Sequence, residues 1–363
     1  MLSESVSKMD KYKIDSHKLL YHVPRVNEWL EGKIIYPIYM EISPSGGCNH
    51  RCIFCGLDFM EYQNRFLNTA ILKDKLSELG KLGLKSVMYS GEGEPFLHKE
   101  MSDLILHTKK SSIDVALTTN GVLLNETIAE KILSHVEWIK VSISAAFKET
   151  YSKIHRTKAD DFDRVVSNMG AAAKIKDKNG YKCVLGMQIL LLPENSHEVQ
   201  HLAQLARDIG MNYLVIKPYS QHTLSKTNLY KEIKYTDYTH IKDKLQEFNT
   251  DNFSIIFRVN TMKKWDEGTR DYKRCLSLPF WSYIDSGGNV WGCSVYLNDK
   301  RFFYGNIYES SFKEIWEGEQ RLKSLRWVEE ELDTRGCRVN CRMDEINRYL
   351  WKLKDPPDHV NFI

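Results

Sequence analysis

From residue 36 to residue 218 the chain alternates short, β-prone apolar runs with longer stretches in which apolar positions recur at helical spacing. The first run, YPIYMEI (36–42), stops at Ser43-Pro44. A helical stretch over 68–82 leads to SVMYSG, one over 99–111 to DVALTTNG, and one over 125–134 to WIKVSISA. Two further rounds end in runs at 183–192 and 213–218. This alternation predicts an α/β fold with a parallel sheet and right-handed crossovers, curled into a partial (β/α)6 TIM-like barrel rather than a closed eightfold one. Ligand chemistry then belongs at the C-terminal ends of the strands, where Glu92, Glu94, Thr119, Ser142 and Lys217 fall.

Past residue 220 the pattern changes. A polar helical stretch, YTDYTHIKDKLQEFN, and one β-like run, FSIIFRV, read as a connector. Beyond it, residues 285–288 read as a hairpin turn between WSYI and NVWGC. The expected organisation is an N-terminal extension (1–35), a barrel (36–225), a connector (226–270), a small unit of β-hairpin plus helix (271–345) and a tail (346–363). The tail is expected to pack on the barrel, with His359 or Asn361 within reach of its cavity.

Composition narrows the function. Lysine plus arginine number 51 against 48 aspartate plus glutamate, a formal balance of +3 that leaves no electrostatic footprint for nucleic acid or an anionic membrane. No run of eighteen apolar residues and no apolar leader is present, so a cytoplasmic location is expected. Eight cysteines in a chain of 363 residues, seven of them in two groups, suggest metal binding or catalysis in a reducing compartment rather than disulfides.

The first group lies in GGCNHRCIFCG (46–56), just past the first strand. Cys48, Cys52 and Cys55 are an odd number of thiols too close together to pair without strain. A structural zinc ion wants four protein ligands, whereas three thiolates can hold three irons of a cubane and leave the fourth open. His50 inside the loop is a weak candidate for the missing ligand; a loop-lining or solvent-facing place suits it better. The spacing C-x3-C-x2-C, with Phe54 before the last cysteine, resembles the radical S-adenosylmethionine (SAM) superfamily, as do GEGEP (91–95), TTNG (118–121) and SIS (142–144) at successive strand ends. The resemblance spans about residues 36 to 220. It implies a four-iron, four-sulfur cluster on Cys48, Cys52 and Cys55, whose open iron chelates SAM, and reductive cleavage of SAM to a 5′-deoxyadenosyl radical. It also implies SAM contacts from Phe54, Glu92, Gly93, Glu94, Thr119, Asn120, Ser142, Ser144, Arg156 and Lys217, and a one-electron donor such as flavodoxin or ferredoxin.

The second group is Cys275, Cys293, Cys337 and Cys341. Zinc stays open on ligand count alone. The G-x4-C spacing from Gly288 to Cys293, followed by GNIYESSFKEIW, resembles the twitch domain, a shortened relative of the SPASM domain, and so implies one auxiliary four-iron, four-sulfur cluster. CRVNC departs from that pattern with a gap of three residues instead of two. The spacing is nearest to that of the twitch aminocyclitol dehydrogenases, which implies abstraction of a hydrogen atom from an alcohol carbon and passage of an electron to the auxiliary cluster. The substrate would be a small polar molecule: a sugar, aminocyclitol or nucleotide-sugar. A peptide-modifying enzyme or an epimerase is the alternative, and a zinc-stabilised binding protein a remote one. Trp281, Tyr283 and Trp291 are expected to shield the auxiliary cluster. The base is unassigned, with Cys183, Tyr219 and His222 as catalytic candidates and Gln221, Arg258 and Asn260 near the expected cavity. Cys183 also reads as a buried core thiol. The oligomeric state is left open.

Overall fold

The computed structural model describes residues 12–362. Ten strands form one sheet: β1 (Tyr39–Ile42), β2 (Ser86–Tyr89), β3 (Asp114–Thr119), β4 (Trp138–Ser142), β5 (Val184–Leu190), β6 (Tyr213–Lys217), β7 (Ser254–Phe257), β8 (Trp281–Ile284), β9 (Asn289–Trp291) and β10 (Phe303–Asn306). Their order is β10-β9-β8-β1-β2-β3-β4-β5-β6-β7. Every pair from β8 through β1 to β7 is parallel, and β9 and β10 are antiparallel additions.

Two strands exceed the six expected. FSIIFRV, read as connector, supplies β7 beside β6, with Tyr213 opposite Ser254. WSYI, read as half of an isolated hairpin, supplies β8 beside β1, with Tyr39 opposite Trp281. Both are four residues long, and a strand that short declares itself only through distant partners. The C-terminal hairpin is therefore continuous with the barrel sheet. The barrel stays open between β7 and β8, as a partial barrel requires.

Local signals set the helices. Asn68 caps the helix Thr69–Lys81 by accepting from the Ile71 N–H, and that helix buries Leu72, Leu76 and Leu79 at helical spacing. Asn125 caps Glu126–Ile132 in the same way. A capping box of Ser311 and Glu314 starts Phe312–Glu317. The main core lies between these helices and the sheet, while a second apolar cluster gathers Trp281, Tyr283, Trp291, Cys293 and Phe302.

The first described residues of the N-terminal segment lie along β6 and β7. Tyr12 and Ile14 pack on Tyr213, Val215 and Ile256, and Asp15 bonds Arg258, the Asn260 N–H and Thr261. At the other terminus the helix Asp344–Lys354 buries Leu350, but residues 355–362, His359 and Asn361 included, are exposed. The expected packing of the tail thus holds for its helix and not for its last residues, which offer mostly polar side chains to bury.

Candidate functional site

The cysteine loop follows β1 and is held from three sides. The Gly46 N–H donates to Arg65 O, the Arg51 N–H to His155 O and the Ile53 N–H to Ile154 O. The GEGEP loop after β2 presses directly on it: the Glu94 N–H donates to Gly47 O at 2.9 Å, and a Cβ on Gly93 would stand 1.9 Å from that oxygen. Only glycine allows this approach. TTNG is tied in from β3, as Asn120 Nδ2 donates to Asn49 Oδ1 at 2.6 Å.

Glu94 is buried and fully bonded. Its carboxylate accepts from Thr119 Oγ1 (2.6 Å), the Asn120 N–H (2.8 Å) and the Phe96 N–H (3.1 Å), while burial raises its pKa. Glu92, also buried, turns the other way and accepts from both the hydroxyl and the N–H of Ser286 in the β8–β9 turn, with Arg65 at 3.4 Å. The first glutamate of GEGEP thus joins the barrel to the C-terminal hairpin. Ser142 accepts from Gln188 Nε2, and Ser144, at φ +48°, accepts from the Leu190 N–H. Arg156 takes the left-handed position ending the helix Lys148–His155 and borders a surface hollow with Arg51, Cys52 and Tyr62.

Cys52 Sγ lies 3.0 Å from His155 Nδ1, whose Nε2 donates to Ile143 O at 2.8 Å, so the neutral thiol donates to the ring. The Phe54 ring meets His155 edge-on at 5.6 Å. His50 is only 1% exposed and lines the loop instead of facing solvent. Its nitrogens have no hydrogen-bond partner and Asp161 is 3.7 Å away; burial lowers its pKa to about 4. Burial raises all three thiols, Cys48 to about 12, and nearby negative charge adds to the rise: Glu94 and Cys55 at Cys48, Cys55 and Cys48 at Cys52, and Asp58 at Cys55. Sites that resist ionisation in this way gain most from a bound cation.

The second thiol set is assembled from three segments. Cys275 precedes β8, Cys293 follows β9, and Cys337 and Cys341 bracket a short loop before the last helix. Asn347 on that helix reaches back, its Nδ2 3.6 Å from Cys275 Sγ. A shared local device recurs in both sets: the N–H two residues on donates to the sulfur, at 3.4 Å, in His50 to Cys48, Val295 to Cys293 and Met343 to Cys341. The Tyr296 hydroxyl lies 3.0 Å from Cys337 Sγ. Donors aimed at sulfur favour thiolates and tune any iron they bind. Trp281, Tyr283 and Trp291 share an apolar cluster with Cys293, and Trp281 and Cys293 also border a cavity.

Protein-family comparison bears on both sets. The radical SAM superfamily matches residues 42–206, and the iron-sulfur cluster-binding SPASM domain matches residues 275–342. The chain carries a radical SAM domain followed by a SPASM domain. These domains bind SAM and two iron-sulfur clusters. A probable GTP 3′,8-cyclase of Methanocaldococcus jannaschii is 29% identical over 181 residues, 49% of this chain and 58% of the relative. The chain spans little more than half the length of that cyclase. An AdoMet-dependent heme synthase of Methanosarcina barkeri is 25% identical over 309 residues, 79% of this chain and 84% of the relative. The crystal structure of Streptococcus suis SuiB bound to S-adenosylmethionine aligns with TM-score 0.64 and 16% identity over 83% of this chain and 70% of that one, a likeness of fold.

The donor geometry of the radical SAM and SPASM domains fits clusters better than single ions. Three sulfurs around one zinc ion stand about 3.8 Å apart. Among the described residues the one compact trio of ligand atoms is His50, Cys52 and His155, within 4.8 Å of one another, and no three of the seven thiols are so close. In that trio His155 Nδ1 is already engaged by the thiol. The wider spread of the cysteines leaves room for a larger inorganic core.

Between the two domains lies a cavity of about 480 Å³, lined by the barrel interior and by Cys293 and Cys341. Lys217, Arg258 and Asn260 line it; Cys183, Tyr219, Gln221 and His222 do not. Cys183 sits at the lower end of β5 in the core, where a strand start offers no access. Tyr219 is buried against Tyr230 and Trp265 and donates to Gln221. His222 accepts from the Leu224 N–H and donates to Ser294 O, so both ring nitrogens are used, and it stacks on Phe59 at 4.6 Å. It joins the loop after β6 to the segment beside Cys293. Sequence reasoning missed Lys140 and Arg338 in the cavity wall. A lysine at the centre of the apolar strand WIKVS was the available signal. No helix of the described residues is long and apolar enough to cross a membrane.

Proposed function

We propose that this radical SAM enzyme takes a hydrogen atom from a small polar molecule held in the cavity between the barrel and the SPASM domain, and completes a two-electron oxidation. One observation carries this reading: a cavity lined by Tyr12 and Ile14 is bordered both by the barrel interior and by two of the four SPASM thiols. Its volume suits one small ligand better than a folded peptide.

Cys48, Cys52 and Cys55 would hold the SAM-binding cluster, and Cys275, Cys293, Cys337 and Cys341 the auxiliary one. When bound, SAM and the first cluster supply one-electron chemistry and hydrogen-atom abstraction. The protein's share is geometry and dielectric. Gly93 lets the two strand-end loops meet, Asn120 anchors the third loop, and Trp281 and Trp291 pack with Cys293 in an apolar cluster. Four thiolates leave no open position on their metal, which suits electron transfer more than substrate ligation.

The test is anaerobic reconstitution followed by iron analysis and incubation with SAM and a reductant. About eight irons per chain and reductant-dependent 5′-deoxyadenosine are expected. Zinc without iron would refute the reading. Turnover of peptides but of no small molecule would move the assignment to the peptide-modifying alternative.

A further inference from the structure

The cavity wall carries more positive charge than its own acids neutralise. Arg258 pairs with Asp15 at 3.2 Å, Arg342 with Glu41, and Lys264 with Asp344 at 2.7 Å. Arg338 is held by the hydroxyl and carbonyl of Ser220 and acts on the thiol of Cys341, so part of its charge serves the SPASM sulfurs. Lys140 and Lys217 have no such account. Among the described residues neither ammonium has a hydrogen bond or an ion pair; Lys140 Nζ has only the Trp138 ring, 5.6 Å from its centroid.

Both lysines belong to rigid strands. Lys140 is the third residue of β4 and Lys217 the last of β6, and both line the cavity alongside Gln188 of the intervening β5. Tyr213, level with Lys140 across β5 and four residues before Lys217 on β6, lines the same cavity, and its ring occupies the space a side chain at Gly186 would fill: a Cβ there would stand 2.1 Å from the ring. Both side chains are half-buried and line this cavity. Burial drives Lys140 down to about 8 and Lys217 well below its usual value, with neighbouring cations adding to the shift in both. An empty cavity that holds two such groups stores unfavourable energy, which a bound anion releases.

We propose that Lys140 and Lys217 form a binding site for a phosphate group, and hence that the substrate is a phosphorylated small molecule. The inference rests on reading the cavity as the substrate site. Charge decides the class: a bound phosphate dianion favours the ammonium form of both lysines and matches both, whereas a single carboxylate leaves one of them unmatched. The same charge disfavours a free aminocyclitol, whose ammonium groups would meet like charge.

The experiment measures the melting temperature of the anaerobic, reconstituted protein and its binding of inorganic phosphate and of succinate at matched ionic strength. Phosphate is expected to bind and to raise the melting temperature; Lys140→Met and Lys217→Met should each weaken phosphate binding about tenfold or more, the loss of a charge-assisted contact. In the ligand-free state Lys217→Met should melt higher by about 2 °C, because an unpaired, half-buried polar group has gone. Lys217→Arg should keep phosphate binding, which excludes a mere packing defect. Phosphate affinity unchanged in both methionine variants, or succinate bound more tightly than phosphate, overturns the proposal. Substrate-free SAM cleavage by the unmodified protein is followed in parallel. Cleavage together with lysine-independent phosphate binding refutes the anion site alone, whereas lysine-dependent binding without any cleavage supports the anion site and refutes the enzymatic reading.

Discussion

The two thiol sets present the same chemical groups by opposite routes. Cys48, Cys52 and Cys55 sit in one loop, whose shape depends on local bonds such as Cys55 N–H to Cys52 O and on contacts from neighbouring strand ends. Cys275, Cys293, Cys337 and Cys341 meet only after β8 has paired with β1, the hairpin has closed and the helix Asp344–Lys354 has brought Asn347 back to Cys275. A loop site can be loaded or emptied with limited effect on the fold. The second site is part of the fold, so its metal and its stability are coupled.

The largest effect separates the two. Cys52→Ala should abolish reductant-dependent 5′-deoxyadenosine formation and halve the iron content while leaving the melting temperature nearly unchanged. Cys341→Ala should also lose about half of roughly eight irons, yet keep substrate-free SAM cleavage and melt several degrees lower. Iron analysis, chromatography of the nucleoside and calorimetry decide it. If Cys341→Ala melts like the parent and Cys52→Ala does not, the contrast is reversed.

Gly93→Ala comes next. The added methyl group would need to occupy space 1.9 Å from Gly47 O, so the loops after β1 and β2 must part. We expect a loss of about 3 kcal/mol in stability, as for other steric insults in tight backbone contacts. SAM binding should weaken as well, and equilibrium dialysis of SAM reads that loss. An unchanged affinity would mean that contact between these loops is irrelevant to the cofactor.

What the sequence made legible follows from locality. The cysteine loop, GEGEP, TTNG and the first six strands are contiguous segments, and their order along the chain maps onto neighbouring strand ends. The β character of FSIIFRV and WSYI was legible, but their places in the barrel sheet were not, because the pairings of β7 with β6 and of β8 with β1 join segments far apart in the chain. The roles assigned to polar residues were hidden for a related reason. Gln221 and His222 follow β6 in sequence, so they looked cavity-facing, yet the loop turns them toward Tyr219 and Ser294. Lys140 and Lys217 come from strands separated by β5, and nothing linear marks them as neighbours.

His222 offers a smaller test, since it bridges the loop after β6 to the SPASM segment. Burial lowers its pKa to about 4, against about 6.5 in an unfolded chain. The unfolded state therefore binds the extra proton first as pH falls, and stability declines from about pH 6.5 down to the folded value. The loss from this one group is about 2 kcal/mol by pH 5. Denaturant titrations at pH 7 and pH 5 should show this slope reduced in His222→Asn. A slope that is not reduced by the substitution would assign it to the other buried histidines, His50 and His155, and detach His222 from the bridge.

The smallest effect concerns the link between the two regions. Ser286, in the turn before β9, gives its hydroxyl to Glu92 and accepts from Arg65 Nε at 2.6 Å, so one side chain ties the hairpin to the loop after β2. Ser286→Ala removes both bonds, but the Ser286 N–H and Arg65 still reach the Glu92 carboxylate, at 3.3 Å and 3.4 Å. The buried carboxylate keeps partial compensation, so the cost should be about 1 kcal/mol, near the lower bound for a charged hydrogen bond. Glu92→Gln alone removes the charge that faces Arg65, which keeps Ser286 and the more distant Asp285, and should cost somewhat more. A double-mutant cycle between the two, read by calorimetry and by SAM affinity, measures the coupling directly. Coupling in stability but not in SAM affinity would mean that Glu92 belongs to the join between barrel and hairpin, leaving Glu94 as the glutamate of that loop nearer the cofactor.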